Sequence, residues 1–207
     1  RTVPTRELIE PIMNLRNVDR VPVHTGPAAW SEILGAEPVR PKLGGDLGCD
    51  VAIVGAGFAG LSAARRLRQI APGAKLAVID AGRIAEGGAG RNSGFMIDLP
   101  HDITSHDYAS GAERDRQLTR LNRHAIGWAG EAVGEYGIAQ GYFQRSGKIN
   151  GAASEVGLKA NLSYAAHLKA LNEPHELLDA MAMREITGSG YYQGGLYTPG
   201  TAMLQPA

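Results

Sequence analysis

The sequence predicts an α/β fold whose first recognisable unit is a parallel strand, helix and strand near residue 50. Three observations carry that expectation. Asp50 to Val54 (DVAIV) is a short apolar, β-branched run that suits a strand buried on both faces. The stretch GAGFAGLSAARRLRQI after it combines small residues with helix formers, and Lys75 to Ile79 (KLAVI) is a second strand of the same kind. Two strands with a turn and a helix between them, all within about 30 residues, make a parallel βαβ unit.

Bulk composition narrows the class. The chain has 207 residues, 43% of them hydrophobic, enough for one large domain or a domain and a half with a real core. Lys plus Arg and Asp plus Glu both count 21, so the formal charge is zero and no electrostatic footprint for nucleic acid or an anionic membrane is present. One cysteine, Cys49, cannot make an internal disulfide, and it reads better as a small buried hydrophobe than as a nucleophile. No apolar run reaches the roughly 18 residues of a membrane helix. With a polar start that lacks the apolar centre of a signal peptide, the expectation is an intracellular, cytoplasmic protein.

Composition changes near residue 49. Residues 1–48 carry Pro4, Pro11, Pro22, Pro27, Pro38 and Pro41 without sustained periodicity, apart from a short helical candidate at about Ala28 to Leu34. This N-terminal arm is expected to wrap the surface of something larger.

The turn between the first strand and its helix holds Gly55, Gly57 and Gly60 in a G-x-G-x-x-G pattern. The first glycine permits the tight turn, the second lets a pyrophosphate approach the backbone, and the third allows close packing of helix on strand. The helix N-terminus, with Phe58 and Ala59 in its first turn, then faces the phosphates with unpaired N–H groups. Asp80 ends the second strand 20 residues beyond Gly60, where an acid accepts hydrogen bonds from ribose hydroxyls, and Ala81 comes next. The context is that of a dinucleotide-binding, Rossmann-like domain. The acid serves the adenosine ribose of NAD and of FAD equally well, so the fingerprint alone leaves both open.

A second glycine-rich stretch, GGAGRNSGF at residues 87–95, is either a cradle for something large and anionic or a flexible connector. Arriving directly after Asp80, the stretch AGRIAEGGAGRNSGF resembles the D-amino acid oxidase (DAO) family of flavoproteins, in particular its branch of amine oxidases that includes gamma-glutamylputrescine oxidoreductase. In that branch a Gly-Ala-Ser-Gly-Arg-Asn-Gly-Gly-like segment passes along the pyrophosphate and the flavin edge. This chain has glycine for one small residue and Ser93 where the family often has glycine, and both changes keep the side chains small. The resemblance implies FAD as cofactor, with Gly88, Ala89, Gly90, Arg91, Asn92, Ser93 and Gly94 joining the phosphate turn and Asp80 in the site. For Arg91 it favours a phosphate contact or a role in holding the loop by bonding carbonyls.

The resemblance covers most of residues 45–207. A long helix is expected at about Ala112 to Tyr136, strand structure near Tyr142 to Ala152, and a second helix at about Ser154 to Leu171. The first helix sets Leu118, Leu121, Ala125, Trp128, Ala132 and Tyr136 on one face at helical spacing, which reads as core packing. The implied architecture is an FAD-binding domain of the GR2 flavoprotein type at 49–140, continued at 141–207 by the start of a substrate domain built on an antiparallel sheet. HDITSHD, residues 101–107, pairs histidine with aspartate twice but lacks a persuasive ligand spacing, and is expected to be a solvated loop or substrate-entrance segment rather than a metal site.

For function, the resemblance implies an FAD-dependent oxidoreductase that oxidises the C–N bond of an amine or amino acid to an imine, by hydride transfer to flavin N5. No catalytic residue is assignable. The competing readings are a nicotinamide-dependent dehydrogenase and a non-catalytic nucleotide-binding subunit. The parallel strands that a doubly wound sheet still needs, with Pro206 placed as a first-turn proline, lead to the expectation of a second polypeptide carrying the C-terminal half of the enzyme.

Overall fold

The structure, a computed structural model, describes residues 26–34, 42–100, 102, 109 and 111–207. Of HDITSHD, only Asp102 falls among them. In chain order the elements are α1 (Ala29–Leu34), β1 (Val51–Val54), α2 (Phe58–Ile70), β2 (Leu76–Ile79), β3 (Phe95–Met96), α3 (Ala112–Glu135), β4 (Phe143–Gln144), β5 (Lys148–Ala152), α4 (Glu155–Ala170), β6 (Glu176–Asp179), α5 (Ala180–Thr187), β7 (Gly194–Thr198) and β8 (Ala202–Leu204). No described helix is long and apolar enough to cross a membrane.

The expected βαβ unit is present. β1 and β2 pair in parallel, Val51 opposite Leu76 through Val54 opposite Ile79, and α2 packs against both. One expectation fails here. The strands are not buried on both faces: Ala52 and Val54 are exposed, Val54 to 86%. Alternate side chains of a strand lie on opposite faces, and among the described residues only one face has a helix against it.

The second body of structure is antiparallel. β7 lies between β5 and β6, with Asn150 and Leu177 both opposite Leu196. α4 and α5 pack on this sheet. Its core is Leu99, Tyr164, Ala165, Leu168 and Leu196, with Met183 of α5 also buried. Local signals close the helices. The Ser154 hydroxyl accepts the Gly157 N–H at the start of α4, the Asp179 carboxylate accepts the Ala182 N–H at the start of α5, and Gly188 ends α5 in the left-handed conformation.

A third, small sheet joins the two bodies. β8 pairs antiparallel with β3 on one side and β4 on the other. It therefore crosses the division expected at residue 140 and seats the end of the glycine loop against the chain's last strand.

α3 corrects a second expectation. Its buried residues are Asp115, Thr119 and Ile126, while Leu121 and Tyr136 are 65% and 58% exposed and Ala125 is exposed as well. At 3.6 residues per turn the buried stripe lies roughly 110° round the helix from the apolar one. For Asp115 the reason is hydrogen bonding, since a polar group tolerates burial when it finds a partner, and its neighbours Asn122 and Arg123 on the helix are bonded too. Asp115 meets His167 of α4 at 2.8 Å, Asn122 donates to the Asp98 carbonyl at 3.1 Å, and Arg123 bonds both Asp98 and Glu173. On the other side Trp128 is half-buried under the Arg65 guanidinium, 4.9 Å from its ring centre.

Candidate cofactor site

The phosphate turn is built as its glycines require. Gly55 has a φ of +100° and donates to the Ile79 carbonyl at 2.7 Å, which clamps the end of β1 to the end of β2. A Cβ on Gly60 would overlap the Gly55 carbonyl oxygen, so the third glycine serves the packing of α2 on the turn. Gly57 differs. A Cβ there would have no protein atom nearer than the Ala89 Cβ at 4.0 Å, and the backbone is extended rather than left-handed. The space beside Gly57 is open, and the nearest neighbour across it belongs to the second glycine loop. No side chain caps α2, so the N–H groups of its first turn face outward with the positive end of the helix dipole.

Asp80 ties the two strands' ends together. One carboxylate oxygen accepts the Ala56 N–H at 2.7 Å and the other the Gly82 N–H at 2.9 Å. These two backbone donors, Ala56 first, hold the carboxyl below the usual carboxylate range. The residue is exposed, as is Ala81, and each carboxylate oxygen has a further lone pair to offer.

The glycine loop contains the same two kinds of glycine. Gly88–Gly90 forms one tight helical turn, and a Cβ on Gly90 would overlap the Ala85 carbonyl. Gly94, at φ +77°, leaves no room for a Cβ against the Leu204 carbonyl. Gly87 and Gly88 have nothing within 4 Å. Asn92 shapes the bend with both ends of its carboxamide, accepting the Gly94 N–H at 2.8 Å and donating to the Ala89 carbonyl. Arg91 takes the loop-holding role: its guanidinium donates to the Glu86 carbonyl at 2.7 Å, to the Glu86 carboxylate at 2.9 Å and to the Gly26 carbonyl at 2.7 Å. Ser93 is exposed.

The structure thus brings Gly57 and Ala89 face to face and ties Asp80 to the turn at Ala56. Gly60, Gly90 and Gly94 are turned toward protein backbone. Phe58 stands 60% exposed at the rim. The open cradle, the uncapped helix end and the exposed acid fit a dinucleotide: there is room where a pyrophosphate would touch backbone, and an acceptor where a ribose would lie. Sequence reasoning missed Trp30, whose indole N–H donates to the Asn92 carbonyl at 2.8 Å, and Gln205, whose amide donates to the Trp30 carbonyl at 3.0 Å. Both bonds use backbone acceptors far along the chain, which leave no sequence signal. Cys49, expected to be buried, is only half-buried. Among the described residues no group of His, Cys, Asp and Glu could hold a metal. An open groove of about 820 Å³ between α3 and residues 140–145 contains no residue of either glycine loop in its lining.

Comparison with known proteins gives a consistent answer. Residues 50–207 match the model of the family DAO, described as FAD dependent oxidoreductase. The chain is 26% identical over 199 residues to the Rhizobium meliloti (strain 1021) protein named "Probable oxidoreductase OrdL", covering 89% of this chain and 43% of that one. It is 29% identical over 160 residues to the Escherichia coli (strain K12) gamma-glutamylputrescine oxidoreductase, covering 76% of this chain and 37% of that one. The chain therefore spans less than half the length of these relatives. Among solved structures, glycine oxidase from Geobacillus kaustophilus superposes with a TM-score of 0.60 at 19% identity, over 76% of this chain and 41% of that one, a likeness of fold.

Proposed function

The chain belongs to the DAO family of FAD-dependent oxidoreductases, on the side that includes OrdL and gamma-glutamylputrescine oxidoreductase, and from that premise we propose that its two glycine loops hold FAD in an enzyme that oxidises the C–N bond of an amine or amino acid to an imine. The single observation that carries this reading is the juxtaposition of the two glycine loops: Gly57, at the uncapped N-terminus of α2, stands opposite Ala89 with no closer protein atom, Gly87 and Gly88 have nothing within 4 Å, and Asp80 bonds the same turn at Ala56.

The chain's own residues would act as follows. The first-turn N–H groups of α2 bind the pyrophosphate oxygens, aided by the helix dipole. Gly57 lets the phosphates reach the backbone. Asp80 accepts from the adenosine ribose while its bonds to Ala56 and Gly82 fix its direction. Gly87 to Ala89 run along the other side of the cofactor, and Arg91 with Asn92 hold that stretch in shape. The protein's share of the chemistry is to position the substrate C–H bond and exclude water. FAD, when bound, supplies the two-electron acceptor.

The amine class is supported by the name of the Escherichia coli relative, gamma-glutamylputrescine oxidoreductase. The division into an FAD-binding portion at 49–140 and a substrate-domain start at 141–207 belongs to the same proposal, as does a cytoplasmic location, in keeping with a lone cysteine. So does a second polypeptide packed on this one, for which the two-stranded parallel sheet, with Ala52 and Val54 exposed, supplies the motive. A stable, flavin-loaded monomer of 21.9 kDa would argue against that partner.

The test is optical. The intact purified protein should be yellow with a flavin absorption band, and anaerobic addition of its amine or amino-acid substrate should bleach that band. A colourless protein that binds NAD would overturn the reading.

A further inference from the structure

We propose that residues 26–34 form a positioning clasp for the glycine loop, with Trp30 as its principal residue. Two hydrogen bonds made by side chains join the segment to the glycine loop, and a third joins it to Gln205 just beyond β8. Trp30 Nε1–H donates to the Asn92 carbonyl (2.8 Å), Arg91 Nη2 donates to the Gly26 carbonyl (2.7 Å), and Gln205 Nε2 donates to the Trp30 carbonyl (3.0 Å). Ala28, between them, is fully buried. The segment lies outside the span 50–207 that matches the family.

The clasp meets the loop at its bend. Asn92 is the residue whose side chain spans Ala89 and Gly94, and Trp30 bonds the carbonyl of that same residue. Arg91 reaches both ways, to Glu86 within the loop and to Gly26 in the clasp. A loop with glycine at 87, 88, 90 and 94 has few side chains with which to hold itself, and it loses more backbone freedom on ordering than other sequences do. Restraints from outside remove that cost before a ligand arrives, which tightens binding without adding a contact. α1 is six residues long, too short for a stable helix by itself, and Ile33 and Leu34 remain exposed, so apart from Ala28 the segment adds little to the core. Its contribution is to the loop. That the loop holds FAD rests on the functional reading above; that Trp30 orders the loop does not.

The test uses the intact protein. Trp30→Phe keeps an aromatic ring and removes the N–H donor. Without added cofactor, hydrogen exchange at the Gly90 and Gly94 amides should speed up by about 5- to 10-fold, the worth of one neutral hydrogen bond, while the amides of β5 and β7 are unchanged. The dissociation constant for FAD should rise by a similar factor, with a shift in the flavin's visible band. Gln205→Leu, which frees the Trp30 carbonyl, should move both readings in the same direction by less. Unchanged loop exchange in both variants would overturn the clasp, and so would faster exchange throughout the chain, which would make Trp30 a residue of the fold rather than of the site. If the wild-type protein takes up no FAD, the functional reading fails and the exchange data still decide the clasp.

Discussion

Around the antiparallel sheet β5, β7 and β6, the side chains of Tyr164, Leu168, Met183 and Leu196 are each 1% exposed or less, packed between strands and the helices α4 and α5. Around the parallel pair β1 and β2, Ala77 is the one buried apolar residue among those described, α2 buries none of its residues fully, and Val54, Phe58 and Leu61 face solvent. The same chain thus holds one region that completes its own core and one that does not. The proposed cofactor site lies in the second. The incomplete region carries the glycine turn, the acid and the second glycine loop.

The largest expected effect comes from forcing the incomplete region at its tight point. Gly60→Val would drive a branched side chain into the Gly55 carbonyl, so the turn must open, and the expected loss is roughly 3 kcal/mol or more, read as a drop in the melting temperature. Leu168→Ala probes the complete region. With its side chain 1% exposed, among Leu99, Tyr164, Ala165 and Leu196, it should cost about 2–5 kcal/mol by denaturant titration while FAD affinity in the folded protein holds. An equal loss of FAD affinity would show that the two regions are coupled. Asp80→Ala should lower the melting temperature by less than either of these substitutions, through loss of the bonds to Ala56 and Gly82, and weaken FAD binding by about 10- to 100-fold through loss of charge-assisted bonds.

The smallest effect is one of pH. Because the Ala56 and Gly82 N–H groups lower the Asp80 pKa in the folded protein, the contribution of its carboxylate is fully present above the ordinary carboxylate pKa, near 4, and is lost as pH falls through the lower folded value. FAD retention should therefore stay level from neutral pH to about 4 and decline only below it. A decline that begins near neutral pH would point to a group other than Asp80.

How much of the molecule is legible in its sequence depends on the reach of each signal. Strands β1 and β2 are readable to within one residue because β-branched runs and a glycine turn are local features. α3 and α4 end close to where their sequences predict, with Ser154 marking the start of α4. The inward face of α3 is not legible, because its buried stripe includes Asp115 and Thr119, and Asp115 is made acceptable by His167 of α4, which periodicity on one helix does not reveal. β6 is not legible although turn residues surround it, since it runs into α5 at Asp179 without a loop and exposes most of its residues. In the site, the glycines are visible as a set, and their separation into open and packed positions is not. That division depends on what lies opposite each one: the Ala85 carbonyl for Gly90, the Leu204 carbonyl for Gly94, and only the Ala89 Cβ, 4.0 Å away, for Gly57.

The contrast at Gly57 is also the point where the proposed site is most exposed to experiment. In the intact protein, Gly57→Val places a Cβ 4.0 Å from the nearest protein atom, the Ala89 Cβ, and adds bulk where the pyrophosphate is proposed to lie. FAD content would be read from the flavin absorption band of the purified variant, with circular dichroism and thermal melting as the check on folding. The expected outcome is a protein that melts like the wild type and carries no flavin. A Gly57→Val protein that is folded and holds FAD at the wild-type level would contradict the placement of the cofactor between the two glycine loops.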